Sequence, residues 1–363
     1  MPSLDSDALR AYSLTLFTKY EGAITTIMVH LGDRLGLYRA MADVGGPVSS
    51  AELAAATGLH ERWVREWLHN QAAAKLVSFE SDGEHDSEDR FWLSPEAVAI
   101  VADRDSPWYS LGLFVRVPSL SLLVEPLVES FRTGLGYDYD ALGPDVASSV
   151  EANMAPWYRH FLVPVLLPML DGVVPRLEAA GRVVDVGCGS GRAVLTIAEA
   201  FPAAEVHGYD ISALALERAA AARADRNVTN AHFHDARIEP LPDNASVDLA
   251  ITFDCIHDMT RPQDVMAAIR KALTPDGTWL LVDMKARETF VENATKNPMA
   301  SLMYGVSVTS CMASALAEPG GAGLGTLGLP ESRAREMAAG AGFTQFRRLD
   351  VDHPVQAFYE IRP

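Results

Sequence analysis

The stretch Val183-Val184-Asp185-Val186-Gly187-Cys188-Gly189-Ser190-Gly191 constrains this chain more than any other. A short Val-rich run reads as a buried strand. Glycine at every second position then predicts a tight turn whose backbone approaches a ligand closely, because a Cβ would stand in the way. Apolar residues at Val194, Leu195, Ile197 and Ala198 predict a helix directly after the turn, from Arg192 to Phe201. A strand, a glycine turn and a helix N-terminus make a nucleotide-type site at the carboxyl end of a parallel sheet.

The spacing narrows the ligand. The dinucleotide fingerprint is G-x-G-x-x-G, with pyrophosphate on the helix N-terminus. Here the third glycine, Gly191, comes one residue early, and Asp185 stands two residues before Gly187. A nucleotide site of another kind, or a plain strand-to-helix turn, also fits these residues taken alone. The pattern resembles motif I of the class I S-adenosylmethionine-dependent methyltransferases. That resemblance implies that the turn passes under the methionine end of the cofactor and that Asp185 helps hold its ammonium group.

The chain alternates strand and helix from Arg182 onward. Glu205–Asp210, Ala231–Asp235, Val247–Phe253 and Thr278–Asp283 read as further strands, with Pro275-Asp276-Gly277 as a turn before the last of them. Ser212 reads as the cap of a helix reaching Ala224, and Pro262–Leu273 and Glu331–Ala341 as further helices. Phe343–Val351 and Val355–Ile361, joined by a short connection, predict an antiparallel pair. The alternation predicts an α/β, doubly wound parallel sheet, and with seven strands and its last pair antiparallel it resembles the Rossmann-like sheet of the class I methyltransferases. Gly320–Gly328 is glycine-rich but lacks the Gly-Lys-Ser/Thr of a phosphate loop.

Ahead of this sheet the chain reads as mostly helical. Leu9, Tyr12, Leu16 and Tyr20, then Ile24, Ile27, Met28, Leu31 and Leu35, fall near helical spacing. So large an apolar surface predicts either core or a homodimer face, and the second is favoured. Ser49-Ser50-Ala51-Glu52 predicts a helix N-cap, followed by helix, the turn at Gly58 and a helix from His60 to Ala74. Two strands, Lys75–Phe79 and Arg90–Leu93, flank an acidic tip, Ser81–Asp89, in which His85 reads as part of a solvated charge run. The arrangement resembles a winged helix. Residues 1–100 hold 8 Lys+Arg against 15 Asp+Glu, a net charge of −7, so a structural winged helix is expected rather than a DNA reader. The expected domains are 1–100, winged helix and dimerisation; 101–177, a helical connector and substrate lid rich in aromatics; and 178–363, the cofactor-binding domain.

Composition points the same way. A net charge of −18 argues against nucleic acid as a partner. No apolar stretch reaches the roughly 20 residues of a membrane span; Phe161–Leu170 is the most apolar run, but it is short and holds Pro164 and Pro168, and no membrane association is expected. The N-terminus shows no basic segment followed by an apolar core, so no secretory leader is expected. Three widely spaced cysteines, Cys188, Cys255 and Cys311, form neither a disulfide framework nor a zinc pattern, which suits a reduced cytoplasm.

Asp210 follows the last motif glycine by about twenty residues, where an acid binds ribose hydroxyls in such folds. A carboxylate suits a diol because it accepts two hydrogen bonds. By the same resemblance Asp235 takes the adenine amino group, Ala236 offers its backbone amide, and Ile211, Phe253 and Asp254 bind the cofactor with Gly187, Cys188, Gly189 and Gly191. S-adenosyl-L-methionine, leaving as S-adenosyl-L-homocysteine, is the cofactor implied, with no metal.

The fourth strand runs into Asp254-Cys255-Ile256-His257-Asp258-Met259. This resembles the His-Asp pair of plant and polyketide O-methyltransferases, whose histidine is the general base. An alcohol or phenol is a poor nucleophile until its proton is removed, and imidazole titrates near working pH. The resemblance implies His257 as base, oriented by Asp283, over a small, apolar or aromatic substrate held by Met154, Trp157, Tyr158, His257 and Met303. Met259 replaces the Trp of the family motif, and Gly328 and Leu329 stand where the family places a second carboxylate. End to end, the chain is similar to mycobacterial and other actinobacterial methyltransferases with an N-terminal winged helix. Competing readings are a cofactor-sensing regulator without catalysis, methylation at nitrogen, carbon or a metalloid by positioning alone, and a metal-dependent mechanism using Asp254, Asp258 and Asp283. A nucleic-acid methyltransferase is disfavoured, since neither Asp/Asn-Pro-Pro-Tyr/Phe nor a Pro-Cys nucleophile is present.

Overall fold

The computed structural model describes residues 4–81, 83, 88–143 and 156–363; His85 and Met154 lie outside them. The chain divides into two compact units. Residues 4–118 with Pro156 form one, and 119–143 with 157–363 the other, so the segment 101–177 is shared between them.

In the first unit Asp5 caps a long helix, Ser6–Arg34, by accepting from the amides of Asp7 and Ala8. Gly36, in the left-handed region, turns the chain into Leu37–Val44. Ser49 and Glu52 make a reciprocal capping box for Ser50–Thr57, which ends at left-handed Gly58. Glu61–Ala73 follows, and β1 (Ser78–Glu80) pairs antiparallel with β2 (Arg90–Trp92) as a short wing. Val48 bridges to Phe91. The core is built on Tyr38 and Trp67, whose rings meet edge-on at 5.1 Å, with Leu53 and Leu68 fully buried. Each such leucine contributes about 1.5–3 kcal/mol by leaving water. Both arginines near the start of Glu61–Ala73 pair within the helix, Arg62 with Glu66 and Arg65 with Glu61. In contrast to this core, every residue from 4 to 20 is exposed.

The second unit holds β3 (Arg182–Val186), β4 (Glu205–Asp210), β5 (Ala231–Asp235), β6 (Val247–Phe253), β7 (Leu273–Met284), β8 (Gln345–Arg348) and β9 (Gln356–Arg362). They form one seven-stranded sheet in the order β5-β4-β3-β6-β7-β9-β8. β3 to β7 pair in parallel and β9 runs antiparallel to β8, as the sequence predicts; β9 is also antiparallel to β7. The Arg192–Ala200 helix buries Ala193, Val194, Leu195, Ile197 and Ala198, so its apolar face explains its packing.

Two expectations need correction. The Pro275-Asp276-Gly277 turn is absorbed into β7, which begins at Leu273 rather than Thr278. Val247 pairs with Leu273 and Leu249 with Thr278, so the turn residues form an irregularity inside one strand. A Cβ on Gly277 would lie 3.0 Å from the carbonyls of Thr274 and Val247, which explains the glycine. The second concerns hydropathy. Among the described residues, the helical run Leu111–Thr133 is long and apolar enough, by length and composition, to cross a membrane. Charged Arg116, Glu125, Glu129 and Arg132 break it up in the sequence, which hid the average apolarity of the window. It is built of successive short turns, Leu111–Arg116, Val117–Leu120 and Ser121–Leu123, before the helix Val124–Thr133.

Candidate active site

The carboxyl ends of β3, β4, β5 and β6 carry the candidate residues. Gly187, Gly189 and Gly191 all sit in the left-handed region, at φ of 75°, 52° and 73°. Glycine adopts this backbone without the steric cost other residues meet. A Cβ on Gly187 would lie 2.8 Å from the Cβ and Sγ of Cys255, and one on Gly191 would lie 2.4 Å from the ring of Phe233. A Cβ on Gly189 would meet nothing within 4 Å, so the middle of the turn faces open space. Cys188 is buried, and its Sγ occupies the room that Gly208 leaves beside it.

Asp210 ties the turn to β4. Its Oδ2 accepts from the Gly189 amide at 2.7 Å and its Oδ1 from the Ser212 amide at 2.8 Å. Each oxygen keeps a further lone pair for a hydroxyl donor. Asp185 is buried, and burial first and Asp210 second push its carboxyl well above the usual range. An ammonium group beside it would reverse that penalty by supplying the opposite charge. The donor set therefore fits the methionine end and the ribose of the cofactor expected from motif I.

At the β5 end the structure departs from expectation. The Ala236 amide is not free for an adenine: it donates to the Asp210 carbonyl at 2.9 Å. The register of β4 and β5, with Asp210 opposite Asp235, brings the two main-chain groups together. The Asp235 carboxylate is gripped by the Arg237 guanidinium at 2.9 and 2.7 Å, which holds it below the usual range. An amino group there would share its remaining lone pairs. Ile211 is 47 % exposed at the same edge. Ser212 caps the Ala213–Asp225 helix, and Asp140 adds a hydrogen bond from the Ser212 hydroxyl and another from the Ala213 amide at 3.0 Å. Asp140 carried no sequence signal for this role.

At the β6 end Phe253 is buried against Tyr158, with ring centroids 5.0 Å apart. Trp157 stacks on Phe161 and Phe358 and meets Phe253 edge-on. Burial, followed by the charges of Asp185, Asp254 and Cys255, raises the Tyr158 phenol well above its ordinary value. Tyr158 therefore lies at the Asp185 edge, among the candidate cofactor groups as much as the substrate ones. Asp254 adopts a left-handed φ of 50° and accepts from the Gln356 side chain. Burial and then Asp283 push its carboxyl up to about 7. Gln356 is a partner that nothing in the sequence announces.

His257 lies in the 3₁₀ turn Ile256–Asp258 and is 1 % exposed. Its Nδ1 is 2.6 Å from Asp283 Oδ1, across from β6 to the end of β7. Its Nε2 is 2.9 Å from Asp258 Oδ1. Burial opposes charging the ring, but Asp283 and Asp258 together outweigh it and raise its pKa well above the ordinary value. Asp258 thus supplies a second carboxylate from within the His-Asp pair, whereas the family places one before the last helix. Cys311, at the end of the π-helical turn Ser307–Cys311, also reaches this group: donor atoms of His257, Asp258 and Cys311 all lie within 4.8 Å of one another. Met303 is buried on the preceding helix, Ala300–Val306, where its Sδ accepts from Asn297 at 3.4 Å.

The sheet order and the glycine turn define a class I methyltransferase fold. Comparison with known proteins agrees. Residues 177–323 match a family described as a methyltransferase domain, and residues 23–102 match the Rv2258c-like winged HTH domain. The chain is 29 % identical over 151 residues to the methyltransferase ungE' of Aspergillus campestris, across 38 % of this chain and 43 % of that one. It is 31 % identical over 134 residues to the malonyl-[acyl-carrier protein] O-methyltransferase of Xylella fastidiosa, across 37 % and 44 %. The chain thus spans less than half the length of these curated relatives. Human N-acetylserotonin methyltransferase, solved with S-adenosylmethionine, superposes over 100 % of this chain and 99 % of its own, with a TM-score of 0.67 at 16 % identity. The chain has the class I methyltransferase fold, and in its sequence the segment that matches the methyltransferase-domain family follows the one that matches the winged helix-turn-helix family.

Proposed function

We propose that the protein transfers the methyl group of S-adenosylmethionine to a hydroxyl oxygen of a small apolar or aromatic molecule, with His257 as general base. The observation that carries this reading is the joining of two loops. Cys255, two residues before His257, fills the space left by the missing Cβ of Gly187, and its Sγ donates to the Val186 carbonyl at 3.1 Å. The candidate base is thereby fixed to the turn that would carry the cofactor.

The bound cofactor supplies a methyl carbon on a positively charged sulfur. The chain's own residues do the rest. Asp185 faces the ammonium group, and Asp210 the ribose hydroxyls. Asp283 orients the His257 ring through Nδ1; the two neighbouring carboxylates favour the charged ring, and it is the neutral form, with its hydrogen on Nδ1, whose Nε2 lone pair accepts a proton. Attack on the methyl needs that proton removed and the two reacting atoms held at near-attack distance.

The acceptor is a small molecule rather than nucleic acid. The net charge of −18 and the internal pairing of Arg62 and Arg65 with glutamates support this. The protein works as a homodimer, supported by the exposed side chains Leu9, Tyr12, Leu16, Phe17 and Tyr20 on one terminal helix.

The test is transfer of labelled methyl from S-adenosylmethionine to a panel of small phenols and aromatic alcohols. Methyl ethers formed by the native chain and lost in His257→Ala support the reading. Products methylated on nitrogen or carbon, at a rate indifferent to His257→Ala, overturn the choice of acceptor and base.

A further inference from the structure

His257, Asp258 and Cys311 bring one nitrogen, one oxygen and one sulfur donor together, all within 4.8 Å of one another. The arrangement has the parts of a built site. Asp283 Oδ1 accepts from Nδ1 at 2.6 Å and is itself fixed by the Met284 amide, which donates to it at 2.7 Å. A carboxylate on the far nitrogen is the usual means of aiming an imidazole at a metal. On the thiol side, Thr326 Oγ1 lies 2.9 Å from Cys311 Sγ, and the Thr326 amide donates to Ser307 Oγ at 3.1 Å. Cys311 is set by a π-helical turn, a local register shift that helices adopt most often at functional sites.

The contact between His257 and Asp258 is informative. Asp258 Oδ1 lies 2.9 Å from Nε2, yet that buried oxygen has no hydrogen-bond partner. Tetrahedral zinc holds nitrogen and oxygen at about 2.0–2.2 Å and sulfur at about 2.3 Å. Ligand atoms around such an ion are separated by about 3.3–3.8 Å, so these donors need move only by fractions of an ångström to roughly one.

We propose that His257, Asp258 and Cys311 form a binding site for a borderline divalent cation of the zinc class, with one coordination position left open. The mixed nitrogen, oxygen and sulfur set selects such an ion over magnesium or calcium, which take oxygen ligands. An ion held there takes the Nε2 lone pair, so metal binding and use of His257 as a base exclude one another. That consequence rests on the reading of His257 above; the site itself does not.

The experiment uses the full chain stripped with a chelator, then equilibrated with Zn²⁺, Co²⁺ or Mg²⁺. Expected are one Zn²⁺ per chain by equilibrium dialysis, a thiolate-to-cobalt charge-transfer band with Co²⁺, and no stoichiometric Mg²⁺. Cys311→Ser abolishes the band, and both it and Asp258→Asn weaken Zn²⁺ by at least about 10-fold, the scale of losing part of a metal's ligand environment. Binding of S-adenosylhomocysteine by each variant checks that it is folded. Absence of stoichiometric Zn²⁺ in the native chain overturns the proposal. So does a folded Cys311→Ser chain with native Zn²⁺ affinity, or a cobalt band that survives it and vanishes in Cys255→Ser. None of these outcomes depends on methyl transfer, so the proposal can fail while the methyltransferase reading stands.

Discussion

His257 and Asp283 meet at 2.6 Å although they leave different strands, and both are about 1 % exposed. The pair joins the loop after β6 to the end of β7, so the parallel pairing of those strands sets the ring's orientation. Removing one member of a buried pair strands the other, which makes the two substitutions unequal in effect.

His257→Ala is expected to leave affinity for S-adenosylhomocysteine nearly intact and to slow transfer by about 10²–10⁴-fold. Asp283→Asn should slow it less, since it disturbs orientation and tautomer while keeping the lone pair. Single-turnover rates with a responsive acceptor check both. Equal rates for native and His257→Ala chains would make the ring a wall of the pocket.

Gly191→Ala tests the turn itself. The new Cβ would enter the Phe233 ring at 2.4 Å from a φ of 73°. Backbone strain and overpacking each cost about 1–3 kcal/mol. Urea denaturation should show a midpoint lowered to match, whereas Gly189→Ala, with open space around its Cβ, bears the strain alone. A similar loss from both would show that packing against Phe233 contributes nothing.

How much of this could be read beforehand follows from the kind of interaction. Asp185, next to last in β3, and Asp210 and Asp235, which end β4 and β5, are legible because strand periodicity and glycine punctuation are local signals, and the strands fall where that pattern puts them. The partner of the Ala236 amide, the Asp210 carbonyl, is not legible in the sequence because it depends on register between two strands. Cys311 reaches His257 from a helix more than fifty residues downstream, through a π turn that no residue spacing announces. Gln356 reaches Asp254 from the last strand, an antiparallel neighbour whose register is invisible in one sequence. The Pro-Asp-Gly signal reads as a turn ahead of the strand, whereas it is an irregularity inside β7, because pairing with β6 resumes on both sides of it.

Stability should depend on pH through β4. Burial first, then His232, Arg182 and His234, lower the His207 pKa from 6.5 to about 4, with Glu205 opposing. The unfolded chain takes up this proton below about pH 6.5, and the folded chain only near 4. Stability is therefore complete above about pH 6.5 and falls as pH drops toward 4. In His207→Gln the loss between pH 7 and 5, read from denaturation midpoints, should shrink. An unchanged loss would assign the acid sensitivity to other groups.

Association is checked by light scattering. The native chain is expected to have twice the mass of one subunit, and Phe17→Glu with Tyr20→Glu should shift it toward a single subunit. Both side chains are about two-thirds exposed, at 65 % and 67 %, so the change should leave the core of the first unit intact. A native chain of single-subunit mass at micromolar concentration contradicts the dimer.

The central claim is that the glycine turn and its acids hold S-adenosylmethionine, and calorimetry in the presence of EDTA tests it most directly. The native chain should bind one equivalent of S-adenosylmethionine. Asp210→Ala should bind it about 10- to 150-fold more weakly, the equivalent of about 1.5–3 kcal/mol for hydrogen bonds to a charged group. No binding by the native chain, or equal affinity in the variant, would contradict the account.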